Sequence, residues 1–122
     1  MIIADTSIWV DHLGRRRDGE LARLLDDEEV LGHAFVTAEI ALGSLSDAVR
    51  TVALLDSIPQ SAIASPQELM LFIRRERLGG CGIGFVDAHL LAACRLMDAR
   101  LWTRDKRLAA QAHRLGCAWA PA

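Results

Sequence analysis

The chain opens with an uninterrupted apolar run, Met1-Ile2-Ile3-Ala4, which Asp5-Thr6-Ser7 ends abruptly. Apolar residues without alternation predict a short strand buried on both faces. Ile8, Trp9, Val10 and Leu13 then recur at roughly helical spacing, so a helix is expected from about Thr6. The run 14–19 reads as a charged loop bounded by glycines. Leu21, Leu24 and Leu25 form an apolar stripe that four successive acids, Asp26 to Glu29, bring to an early stop, because acid opposes the dipole at a helix C-terminus.

Val30 to Val36 predicts a second short strand or extended turn, after which Thr37 is expected to cap a helix carrying Glu39, Ile40, Leu42 and Leu45. Asp47 to Ser57 reads as an amphipathic helix with Val49, Val52, Ala53 and Leu55 inward, and Ala62-Ile63-Ala64 as a third strand. Ser65-Pro66-Gln67-Glu68 has the cap, proline and acid of a helix start. Gly79 to Gly84 breaks that helix, and a long one follows from Phe85 to about Met97. Arg100 to Thr103 predicts a fourth strand, Asp105 opens a last helix, and Ala118-Trp119-Ala120 suggests a fifth, edge strand. Strands alternating with helices imply an α/β fold with a parallel sheet covered on both faces.

Four acids stand out against apolar surroundings. Asp5 ends the first strand, Glu39 and Asp87 fall in the expected first turns of their helices, and Asp105 follows the fourth strand. In a parallel α/β fold, strand ends and helix starts share the edge where ligands bind, so all four carboxylates can converge there. Each is also an ordinary helix-end residue, worth about 0.3–1 kcal/mol in that role. Two carboxylates about 4 Å apart repel by roughly 4 kcal/mol at an effective dielectric near 20; four together call for protons or a cation. Oxygen ligands without cysteine or a histidine pair suit Mg²⁺ or Mn²⁺, and such ions promote attack of water at phosphorus. Metal-assisted phosphodiester hydrolysis is the chemistry that fits.

Composition narrows the setting. A chain of 122 residues, 52% apolar and 25% charged, makes one domain over 1–122. A net charge of −2 offers no bulk attraction to polyanions. Lys106 is the only lysine, so the positive charge is almost all arginine. Cys81, Cys94 and Cys117 form no CxxC pair and read as small apolar residues in a reducing compartment. No signal peptide or bilayer-length apolar run is recognisable, and a cytoplasmic protein away from membranes is expected.

Asp5-Thr6-Ser7 after a short strand, Glu39 early in a helix, Gly84-Phe85-Val86-Asp87-Ala88-His89 and Thr103-Arg104-Asp105-Lys106-Arg107-Leu108 together resemble the motifs of PIN-domain nucleases. Over essentially its full length the chain is similar to the VapC-type toxins of toxin–antitoxin pairs. The resemblance implies a three-layer α/β/α sandwich around a five-stranded parallel sheet, with Asp5 and Asp87 as the main metal ligands. Glu39 and Asp105 would complete the acidic pocket; Thr6, Ser7 and Thr103 would orient carboxylates or water. It further implies RNA cleavage with Mg²⁺ or Mn²⁺, a homodimer, and a cognate antitoxin that blocks the pocket. The short C-terminus suggests no appended RNA-binding module.

Other features read more plainly. His89 points away from Asp87 and is assigned to the core or an interface; His12, His33 and His113 have no partner at ligand spacing. The glycines at 79–84 lack a P-loop lysine and suit a hinge near Asp87. Arg74, Arg75 and Arg77 form a solvated face, guide RNA or pair with an acidic partner, Trp9 and Trp102 belong in the core, Trp119 at a dimer edge, and Asp11 in water. Two competing functions are a phospho-acceptor signalling domain, for which Lys106 is the sole lysine on offer, and a catalytically inactive regulatory protein of the same fold.

Overall fold

A computed structural model describes residues 1–13, 19–44 and 46–122. The expected charged loop at 14–18, the Leu13 side chain and Leu45 lie outside the described residues. In chain order the elements are β1 (Ile2–Ala4), α1 (Thr6–Leu13), α2 (Gly19–Asp26), α3 (Ala34–Leu42), α4 (Ala48–Ser57), α5 (Pro66–Arg75), α6 (Phe85–Met97), β2 (Arg100–Trp102) and α7 (Lys106–Arg114). β1 and β2 pair in parallel, with Ile2 opposite Arg100, Ile3 opposite Leu101 and Ala4 opposite Trp102. Successive strand side chains point to opposite faces, yet all three of β1 are buried, so both faces are covered.

The expected five-stranded sheet is not what the described residues form. They make two paired strands, to which three segments add single parallel bridges: Ile2 to Val30, Gly32 to Gln60, and Leu101 to Ala118. The outer segments are short because other structure claims their residues. The imidazole of His33 accepts the Phe35 N–H and starts α3 at Ala34, which takes Ala34, Phe35 and Val36 out of the expected strand and makes Thr37 a helical residue rather than the cap. Ala62-Ile63-Ala64 is not a strand; the crossing comes earlier, where Gly32 N–H donates to Pro59 O and Ser61 N–H to Gly32 O. Glycine suits that crossing, since a Cβ at position 32 would stand 2.6 Å from the Gln60 side chain.

Elsewhere local chemistry decides as expected. Ser65 and Glu68 form a reciprocal capping box at α5, and Asp105 caps α7 through the Leu108 N–H. The inward face of α4 differs: Thr51 and Leu55 are buried, whereas Val49 and Ala53 are exposed. The Thr51 hydroxyl bonds back to Asp47 O, which lets a polar residue take a core position. Trp9, Ile3, Ile8, Leu90, Leu91 and Leu101 are fully buried, each stabilising the fold by roughly 1.5–3 kcal/mol or more. Trp102 is buried as expected and Trp119 packs on it edge-on at 5.0 Å. The three cysteines carry free thiols. Among the described residues no helix is long and apolar enough to cross a membrane.

Candidate active site

The β1–β2 register builds the centre of the site. Because Ala4 lies opposite Trp102, the next residues of the two strands, Asp5 and Thr103, emerge side by side at the carboxyl edge, and Asp5 N–H donates to Trp102 O at 3.0 Å. The Thr103 hydroxyl donates to Asp5 Oδ2. Oδ1 accepts from the Ser7 hydroxyl, the Ser7 N–H at 3.0 Å and the Ile8 N–H at 3.4 Å. The carboxylate is therefore both a cap for α1 and the hub of a hydroxyl network. It is only 7% exposed. Burial pushes its pKa above the ordinary value, against the downward pull of hydrogen bonds from Ser7, Thr103 and Ile8.

Two further links extend the network. Thr103 Oγ1 accepts the Asp105 N–H at 3.0 Å, which ties the start of α7 to the hub. Thr6, next to Asp5, donates its hydroxyl to Glu39 Oε1 at 2.7 Å. Glu39 sits in the second turn of α3 rather than the first, a consequence of the early start at His33. Asp87 lies in the first turn of α6, where Oδ2 accepts the Gly84 N–H at 3.0 Å. The rings of Phe35 and Phe85 stack at 6.3 Å and bring the starts of α3 and α6 together. The helix starts that carry the acids thus occupy one neighbourhood.

Neighbourhood is not a ligand set. Among the described residues no group of three or more His, Cys, Asp or Glu is drawn close enough to hold a metal ion. Asp5, Asp87 and Asp105 instead satisfy N–H groups of their own helices, which spares them the repulsion of close like charges. Their donor chemistry does fit a hard divalent cation: the oxygens are carboxylate and hydroxyl, and a cation would favour the ionised form that burial disfavours at Asp5.

Sequence reasoning missed three features. Asp11 does not simply face water but pairs with Arg104, whose backbone N–H donates to Ser7 Oγ at 3.1 Å. The i, i+6 spacing of Asp5 and Asp11 gave no hint of this, since the partner comes from the far end of the chain. His33 is buried as the α3 cap. Phe35 and Phe85 form a pair with His89, which is buried in keeping with its expected core role. Arg74, Arg75 and Arg77 are exposed.

Comparison with known proteins agrees with this architecture. Residues 2–114 match the PIN domain. Ribonuclease VapC32 of Mycobacterium tuberculosis is 43% identical over 121 residues, 98% of this chain and 97% of the relative, in each of two strains. Among solved structures, PAE2754 from Pyrobaculum aerophilum superposes with a TM-score of 0.62 at 16% identity, over 90% of this chain and 83% of its own. FitAcB from Neisseria gonorrhoeae does so with a TM-score of 0.64 at 18% identity, over 93% and 94%. The two structures share the fold, and the full-length relative narrows the assignment: the chain belongs to the PIN-domain family, among the VapC ribonucleases.

Proposed function

We infer that the chain is a ribonuclease acting as the toxin of a toxin–antitoxin pair, hydrolysing RNA phosphodiester bonds at the carboxyl edge of its sheet. The observation that carries the reading is the Asp5 carboxylate, buried, held by two hydroxyls, and in the family of a ribonuclease 43% identical across nearly the whole chain. Asp5 and Asp87 are the main ligands for Mg²⁺ or Mn²⁺, with Glu39 and Asp105 completing the acidic pocket. When bound, such an ion supplies activation of water and charge neutralisation at phosphorus. Ser7 and Thr103 fix the Asp5 carboxylate by donating to opposite oxygens, and Thr6 holds Glu39. Arg104, kept at the rim by Asp11, is placed to meet a phosphate of the strand.

The three bridged segments are the outer strands of a five-stranded PIN sheet in this reading. The active species is a cytoplasmic homodimer, silenced by a cognate antitoxin that covers the pocket. RNA cleavage by the purified chain should require added Mg²⁺ or Mn²⁺, stop with a chelator, and fall by on the order of 10³-fold in Asp5→Asn or Asp87→Asn. A folded wild-type chain that cuts no RNA with any divalent ion defeats the proposal. Incubation with a small phosphodonor should add no phosphate, which separates it from a phospho-acceptor domain.

A further inference from the structure

Phe85 is the first residue of α6, two before Asp87, and is 67% exposed. An exposed phenylalanine alone means little; this one is held in place. Its ring stacks on Phe35 with 25° between planes, and meets the buried His89 edge-on at 4.7 Å. Phe35 also sits edge-on to His89 at 4.6 Å and to His33 at 5.3 Å. Four aromatic rings thus fix one another, and Phe85 stays largely exposed.

The location gives this patch a use. On α3, Phe35 and Glu39 are four residues apart and share a face, about one turn of 5.4 Å from each other. On α6, Phe85 lies inside the turn closed by the Gly84–Asp87 bond. The patch therefore adjoins two of the acids on separate helices. Its outer rings, Phe35 and Phe85, are apolar and carry no charge to attract a phosphate. A flat, rigid, neutral π-face beside a phosphodiester-cleaving edge suits a nucleobase, since single-stranded RNA is commonly held by stacking on aromatic side chains.

We propose that Phe85, braced by Phe35 and His89, is a stacking platform for one unpaired base of the RNA substrate and sets where the strand lies across the acidic edge. The proposal rests on the ribonuclease reading above, and its test separates the two. The full chain, in EDTA so that no cutting occurs, is titrated with a short single-stranded RNA carrying 2-aminopurine at successive positions. Stacking quenches the probe at one position; Phe85→Leu, which keeps apolar bulk but loses the π-face, relieves that quench and weakens binding by about tenfold. Phe85→Trp restores both. Unchanged affinity and quench in Phe85→Leu overturn the platform, even if the wild type cuts RNA with Mg²⁺ or Mn²⁺. Wild-type protein that neither binds nor cuts RNA overturns the platform and the ribonuclease reading together. Loss of antitoxin binding in Phe85→Leu with RNA binding intact overturns the platform in favour of a protein-docking patch.

Discussion

Asp5 and the His33–His89 pair are both buried titratable centres, and they solve burial in opposite ways. Asp5 accepts from two hydroxyls and two backbone N–H groups, yet burial still disfavours its charge. The imidazoles leave His33 Nε2 and His89 Nδ1 without a hydrogen-bond partner among the described residues, and shed their charge instead. The pair behaves as core, where neutrality is the cheapest state. The acid keeps a polar cradle that reaches beyond its cap of α1 to Thr103 on the neighbouring strand. Burial thus raises the Asp5 pKa even though both of its oxygens are hydrogen-bonded.

Acid separates the two centres most strongly. The folded pKa of His33 is depressed, so its contribution is complete above the unfolded value of 6.5 and is lost as pH falls through about 4. The loss is on the order of 3 kcal/mol, and chemical denaturation between pH 7 and pH 4 measures it; His33→Asn, which keeps an acceptor for the Phe35 N–H, should flatten that limb. Asp5 has the reverse sign. Its pKa is raised, so its contribution is full below 3.8 and disappears as pH rises through the folded value. A stability profile flat from pH 7 to 4 would contradict the assignment of the imidazoles.

A smaller effect comes from the cradle itself. Thr103→Val removes the hydroxyl on Asp5 Oδ2 and should reduce RNA cleavage by roughly 10–100-fold, with little change in RNA affinity measured in EDTA. Equal losses in both would make Thr103 a general packing residue. The smallest effect on stability sharpens the contrast: Asp5→Asn should raise unfolding stability by roughly 1 kcal/mol at pH 7 while lowering activity as stated above, the usual exchange at a functional site. A variant less stable than wild type would return Asp5 to the status of a simple cap.

Much of this was legible in the sequence, for physical reasons that differ by region. β1, α5, α6, β2 and α7 carry local signals strong enough to decide alone: an unbroken apolar run, a Ser65–Glu68 box, a long apolar helix, Asp105 before Leu108. The start of α3 did not, because histidine is a poor advertisement for a cap and His33 works as one only when buried against His89 and Phe35. The outer segments of the sheet touch through single bridges, too short for any periodicity. At the site, the places of Asp5, Asp87 and Asp105 at helix starts were readable. Their pairing with hydroxyls was not, since Asp5 and Thr103 are 98 residues apart, and neither was the Asp11–Arg104 ion pair at the rim.

That separation has a consequence during synthesis. A growing polypeptide exposes Asp5 well before the neighbouring strand and its threonine, 98 residues further on, leave the ribosome. Asp5 therefore lacks its Thr103 partner until β2 has been made, so a product stalled before β2 has no finished cradle around that carboxylate. For a cell that translates such a toxin, the site proposed around Asp5 comes together only once β2 lies beside β1.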